Sequence, residues 1–484
     1  MPLTPNRSGG FSGSIDLLSQ EYNSQSADQN QTRLINMYLE PDKSKGRDQL
    51  VAYPTPGLVL FCDTGEANVR ALRELNGVTY VVAGNKFGSV NGAGVFTQLG
   101  SNLSTSSGFA KIKAVSGGSD TNNQLIIIDG TNGYSYNIGT ATATFPISDA
   151  DFPDTATDIE TLHDYTIVQV ASSIKYQISS LADSLTWATL DFASKIAQPD
   201  SLTAVVNWND RLWLLGNRTM EVWEDIGNVD FPFEKTGGIF VQKGCAAKQS
   251  VVICQETLHM LSTDNSGGFQ FLKFNGFVPV PIETTPIAET LQNMTVVSDC
   301  IGYSYNRSGH EFIDWTFPTE NVTFTYDATT GIWLTRQSYI SAAYGRFLGS
   351  CATFCYNKSL IGDYNSGKIY YQSSTTYTEN SVAIRRMFVS PPLYMDGRRI
   401  YVHRLQMDVQ TNIGSSKTFT LEMSTDSGQT WESIDTYTVP TTSAAQIYTS
   451  SLGSGYNFIF RITTTMNAKF MLLGFRADFS VGDH

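Results

Sequence analysis

The stretch of sequence richest in placed chemistry is Ser424-Thr-Asp-Ser-Gly-Gln-Thr-Trp431, which fits the Asp-box pattern SxDxGxTW. The physics of that spacing is a hairpin turn. Asp426 accepts backbone N–H bonds, Gly428 permits positive φ, and Trp431 packs beneath the loop that Ser424 opens. A glycan hydrolase built on this motif carries several copies at a regular repeat plus an arginine triad, whereas here one copy stands alone. The motif specifies a structural turn, and no catalytic residue follows from it. Asp363-Tyr-Asn365-Ser-Gly367 and Asp129-Gly-Thr-Asn-Gly133 alternate oxygen side chains as calcium loops do. Neither has a Glu at EF-hand spacing, so both read as plain hairpin turns.

The remaining reactive side chains are scattered. The histidines (His163, His259, His310, His403, His484) form no HxxxH or HExxH pattern and no recognisable nucleophile pair. The cysteines (Cys62, Cys245, Cys254, Cys300, Cys351, Cys355) sit mostly in apolar, strand-like context and read as reduced core residues; Cys351 and Cys355 lack zinc spacing. Gly88, Gly92 and Gly94 precede no helix, so a phosphate-binding loop lacks its helix N-terminus. Catalytic, cofactor-binding and metal residues are therefore expected to be none, and the chain is expected not to be an enzyme.

What must position these residues is a β-rich scaffold. The chain has 484 residues, 41% hydrophobic and 16% charged, with a formal net charge of -13. That length exceeds one ordinary core, and the abundance of Tyr, Phe, Thr, Ser and Gly favours strands and tight turns. An acidic balance without basic runs argues against tight binding to phosphate backbones. No apolar run approaches the roughly 18 residues of a membrane span, and Met1 to Gly10 lacks an apolar signal region. Helical periodicity is nearly absent, the best short candidate being Ile159 to Leu162.

One unit recurs: an apolar strand, a turn rich in Gly, Asn, Asp or Ser, and an aromatic or β-branched strand. It is readable at residues 78–90, 124–138, 166–178, 211–224, 257–274, 311–326 and 359–372. First-strand centres at Val82, Ile128, Gln169, Leu214, Met260, Ile313 and Ile361 lie between 41 residues (Ile128 to Gln169) and 53 residues (Met260 to Ile313) apart. That period selects β-propeller blades. Seven units predict seven blades, or six if the first or last hairpin belongs elsewhere. After Pro391-Pro392 the alternation lengthens, predicting an antiparallel β-sandwich. The predicted division is an extended arm over residues 1–50, expected to be mobile in an isolated chain, a propeller over 51–380 and a sandwich over 381–484.

Several segments together carry a resemblance. Asn36-Met-Tyr-Leu-Glu-Pro41 followed by Tyr53-Pro-Thr-Pro-Gly57 resembles the opening of the tail hub proteins of short-tailed phages (podoviruses), also called tail nozzle or packaged-DNA stabilisation proteins. Trp208-Asn-Asp-Arg-Leu-Trp213, Gly216-Asn-Arg-Thr-Met-Glu221, Val241-Gln-Lys-Gly244 and the closing Phe475-Arg-Ala-Asp-Phe479 are similar to that family as well. The resemblance implies a structural virion protein of the phage tail, assembled in the host bacterial cytoplasm as a homohexameric ring. Such a ring extends the portal-adaptor channel, retains packaged DNA and passes it during ejection. The implied partners are the tail adaptor (head-to-tail connector) protein above and needle, spike or fibre proteins below. Double-stranded DNA passes without tight binding, and neither cofactor nor membrane insertion is implied. Six chains at -13 would surround that DNA with -78, a repelling field if the acidic residues face the lumen. The Asp box is no part of the resemblance. It supports, with the aromatic turns at Trp213, Trp223, Trp315 and Trp333, the alternative of a propeller-fold glycan-binding or glycan-hydrolysing protein.

Overall fold

Every hairpin read from the sequence forms, because each first strand is an apolar run that neighbours bury on both faces. Gln124–Ile128, for example, is buried along its whole length and pairs antiparallel with Gly133–Asn137. The same pairing joins Val78–Ala83 to Lys86–Val90, Tyr165–Val170 to Lys175–Ser180, and Arg211–Gly216 to Met220–Asp225. It also joins Thr257–Thr263 to Phe269–Asn275, His310–Phe317 to Val322–Asp327, and Lys358–Asp363 to Lys368–Ser373. The computed structural model describes residues 4–5, 11–23, 31–42, 49–116, 123–153, 155–198, 200–264, 266–442 and 447–482.

Each hairpin gains an inner strand before it and, in most sheets, an outer strand after it. Lys111–Val115, Gln124–Ile128, Gly133–Asn137 and Thr142–Thr144 lie in that order in one sheet. The inner strands pack side by side around a centre: Val69–Leu75 against Lys111–Val115, then Ala156–Leu162, then Leu202–Trp208. The Trp208 indole N–H donates to the Glu256 carbonyl at 2.8 Å, tying that strand to the turn after Val252–Cys254. Val252–Cys254 packs on Ile301–Arg307, this on Gly349–Cys355, and the last returns to Val69–Leu75. The circle is a β-propeller. Gly57–Asp63, from before the first inner strand, pairs with Lys368–Ser373 in the last sheet and so locks the ends of the circle together.

The helix expected at Ile159 to Leu162 is instead part of the inner strand Ala156–Leu162, paired with Tyr165–Val170. The turn at His163-Asp164 (φ 47 and 64) decides it, since two successive left-handed residues give a tight hairpin. The α-helix among the described residues is Thr285–Asn293, which carries Pro286 in its first turn and buries Ile287 and Leu291 against Phe271, Trp315 and their neighbours.

The strands after residue 385 fall into two sheets, one separate and one continuous with the propeller sheet of His310–Phe317, which Gln31–Ile35 joins through Ile332–Ile340. In one, Ile400–Val409 pairs with Leu472–Val481, and Phe11–Asp16 adds to the outer side of the latter. In the other, Thr418–Ser424 pairs with Asn457–Thr464, and Arg386–Val389 bridges that strand to Gln31–Ile35. Period-two alternation aims Leu405, Met407, Phe475 and Phe479 from the first sheet, and Phe419, Leu421, Phe460 and Ile462 from the second, into one buried cluster. The described strands of the first 50 residues are thus paired backbone where a free arm was expected. Gly9, Gly10 and most of the polar stretch between Gln20 and Thr32 lie outside the described residues.

Candidate functional site

The inner strands line a central channel holding a cavity of about 320 Å³. Its wall is charged. Lys111 Nζ sits 2.7 Å from Asp158 Oδ1, and Lys113 Nζ 2.6 Å from Glu160 Oε1. Lys248 Nζ donates to the Thr157 carbonyl at 2.7 Å and lies 4.3 Å over the Phe109 ring. Arg73 is exposed on the same wall and makes no ion pair among the described residues. Alternation places Lys111 and Lys113 on one side of their strand, facing Asp158 and Glu160 on the next. Burial lowers the Lys113 pKa, and repulsion from Lys111 and Arg73 adds to it, despite Glu160. The Lys248 pKa is lowered by burial, with Lys111 adding to it. Glu160 is held below its ordinary value because Lys113 and Lys111 outweigh the cost of burying it.

At one mouth of the channel Arg70 is spent on backbone. Its guanidinium donates to the carbonyls of Gly84 (3.0 Å), Thr105 (2.8 Å), Gly108 (3.1 Å) and Phe109 (2.8 Å). Asp129, first of the calcium-like loops, accepts from the Asn132 and Thr131 amides through Oδ1 and from the Thr105 amide and Tyr134 hydroxyl through Oδ2. Burial opposes its ionisation, those hydrogen bonds prevail, and its pKa ends lowered. Asp363 binds the Asn365 amide at 2.8 Å and the Ser366 hydroxyl at 2.6 Å, closing its own hairpin. Among the described residues no group of three or more His, Cys, Asp or Glu side chains could hold a metal ion.

The Asp-box residues come together at the tip between Thr418–Ser424 and Glu432–Thr438. Ser424 donates its hydroxyl to Asp426 Oδ1 at 2.7 Å and accepts the Gly428 amide at 2.8 Å. Thr430 donates its amide (2.9 Å) and hydroxyl (2.5 Å) to the Asp426 carboxylate. Those bonds, the Thr430 hydroxyl first, hold the Asp426 pKa down at about 2. Gly428 takes φ 84, and Trp431 lies under the Arg461 guanidinium, 4.1 Å away. Both carboxylate oxygens are engaged within the turn.

The histidines stay apart. His163 spans two neighbouring blades, with Nδ1 2.9 Å from Asp225 and Nε2 2.8 Å from Asp210. The bond to Asp225, above all, raises its pKa. Burial lowers His259 to about 4, His310 bonds Asp327 at 2.7 Å, and His403 bonds Ser480 at 2.7 Å, while His484 lies outside the described residues. All six cysteines are free, and burial pushes the Cys351 thiol up to about 12.

Sequence reasoning missed a buried polar knot. Asp314 accepts from Tyr303 (2.9 Å), Thr325 (2.6 Å) and Arg336 (3.2 Å), and the Arg336 guanidinium rests 3.4 Å from the Phe347 ring centre. Tyr303, Asp314, Thr325 and Arg336 lie on four strands and carry no shared local signal; the one hint is a lone Asp inside the strand His310–Phe317.

The short motifs turn out to be cross-ties. Asn36, buried at φ 53, donates to the carbonyls of Gln337 (2.9 Å) and Arg385 (2.8 Å) and accepts the Gln337 amide (3.0 Å). A Cβ on Gly57 would stand 2.3 Å from the Thr376 carbonyl oxygen, and one on Gly244 2.1 Å from that of Asn217. Trp208 and Trp213 pack at a tilt with ring centres 5.1 Å apart, and both meet Phe274 of the next blade edge-on. Phe475 and Phe479 face the core of the C-terminal strands.

The fold is a β-propeller whose recurrent motifs serve closure and packing. The family described as Bacteriophage P22 Gp10, beta-propeller, matches residues 14–377, and the chain belongs to it: a phage tail structural protein, a component of the virion. No curated protein matches the chain. Among solved structures, the N-terminal domain of Nup159 is 8% identical at TM-score 0.39, covering 70% of this chain and 98% of that one. A puromycin-hydrolyzing peptidase of Mycobacterium tuberculosis is 10% identical at TM-score 0.38, covering 71% and 61%. BamB from Moraxella catarrhalis is 11% identical at TM-score 0.37, covering 77% and 98%. Similarity at that level carries no argument about function.

Proposed function

We propose that this chain is a non-enzymatic ring subunit of a short phage tail, a tail hub or nozzle that extends the portal-adaptor channel, retains packaged DNA and passes it during ejection. The observation that carries the reading is family membership across residues 14–377. The ring is a homohexamer assembled in the host bacterial cytoplasm, docking the adaptor above and needle, spike or fibre proteins below. Heterologous contacts that close by rotation generate such a ring. The propeller has seven blades, a count supported by the inner strands that succeed one another around the channel and by one hairpin per sheet. The strands after about residue 380 form a sandwich, supported by the single cluster that both sheets share. Strands from the first 50 residues are woven into that unit.

A net charge of -13 per chain favours passage of DNA without adhesion. Glycan binding or hydrolysis, the competing reading, draws its support from the Asp box, whose carboxylate is committed to its own turn.

Electron microscopy of the purified chain assembled with its adaptor tests the proposal. Six-fold rings with an axial lumen are expected, and particles lacking the protein should lose genome after packaging. A chain that stays monomeric with adaptor present, or mutant particles that keep their DNA, would refute it.

A further inference from the structure

We propose that the propeller channel binds a small, multiply charged oxyanion of the phosphate class along the wall formed by Arg73, Lys113, Lys111 and Lys248. This goes beyond the tail role and does not depend on ring formation. Five cations line the cavity with two carboxylates, Asp158 and Glu160; Arg70 is committed to backbone carbonyls and faces Asp129, which leaves Arg73, Lys111, Lys113 and Lys248 with two positive charges in excess, within a chain that is strongly acidic overall. Uncompensated like charge in a narrow, poorly solvated channel is costly unless a counter-ion relieves it.

The donors are also available. Asp158 and Glu160 are each taken by a lysine, Lys248 has given one N–H to Thr157, and the Arg73 fork has no ion-pair partner among the described residues. Arg supplies planar, bidentate donors and Lys supplies point charges, the combination that suits phosphate oxygens. Burial has already pushed the Lys113 and Lys248 pKa values down, and a bound dianion would reverse that. A cavity of about 320 Å³ suits a small ligand and excludes a nucleic-acid duplex.

Calorimetric titration of the full chain with pyrophosphate at low ionic strength, against sodium chloride of matched ionic strength, decides the matter. Saturable binding of one anion per chain is expected. Arg73→Gln, an exposed substitution that leaves the lysine–carboxylate pairs in place, should weaken it by about 10-fold, roughly one charge-assisted bidentate contact. Glu160→Gln should tighten it several-fold by removing a competing charge. Thermal midpoints measured on both variants confirm that the fold is kept. A heat signal no larger than that of sodium chloride, or one affinity shared by the parent chain and both variants, would overturn the proposal.

Discussion

At the scale of single residues, the polar side chains of this protein are tools of assembly. Asn36 shows it best. Its amide satisfies two carbonyls and one N–H from two other segments, and its left-handed backbone is one that asparagine adopts at lower cost than alanine. Asn36→Ala should therefore cost about 2–4 kcal/mol, as orphaned buried partners and backbone strain combine. Urea denaturation of the parent and variant chains measures it. His163 adds a pH-dependent tie between blades. Its pKa is raised in the folded chain, so its extra stabilisation is complete below the unfolded value of about 6.5 and fades as pH rises through the folded value. The stability gap between the parent and His163→Gln should thus be widest near pH 6 or below and narrow at alkaline pH, readable from thermal midpoints across a pH series. Asp426 has the opposite sign. With its pKa held at about 2, its contribution to the turn is present above the ordinary carboxylate range and disappears only as pH falls through about 2.

At the scale of elements, closure of the circle is the decisive event. Gly57–Asp63 lies before the first inner strand yet pairs in the last sheet, so the two ends of the repeat are held by one ladder. Gly57 makes that ladder possible by letting the backbone pass within contact of Thr376; its amide donates to the Thr376 carbonyl at 2.9 Å. Gly57→Val should destabilise the chain by about 2–4 kcal/mol, because its Cβ would stand 2.3 Å from the Thr376 carbonyl oxygen and 2.7 Å from that of Thr378. Hydrogen exchange checks where the damage falls: protection should drop first in Gly57–Asp63 and Lys368–Ser373, before the other blades. Uniform loss across the molecule would point away from closure as the weak point.

At the scale of the whole molecule, a closed circle of sheets in a chain of net charge -13 suits the proposed passage of DNA without adhesion. Adding salt should leave the solubility of the chain high and its affinity for duplex DNA negligible, as measured by anisotropy with a labelled duplex. Micromolar binding that weakens steeply with salt would contradict the proposed passage without adhesion, since such binding needs basic groups that release counterions.

The sequence by itself determined the repeat. Period-two alternation and turn chemistry are local, so hairpins such as Arg211 to Glu224 and the Asp-box turn were legible residue by residue. The family motifs were legible too, though as strings without roles. The tertiary structure alone decided what those strings do. Asn36, Gly57 and Gly244 act on partners far along the chain, and the knot around Asp314 draws on four strands. The charged channel wall is a product of circular closure, which sets Lys111 and Lys113 opposite Asp158 and Glu160 from the next blade. At Ile159 to Leu162 a short polar-apolar run fits either period, and the turn at His163 and Asp164 with the neighbouring strand makes it β. Contacts between residues distant in sequence leave no local periodicity, and it is those contacts that build both the closure and the channel.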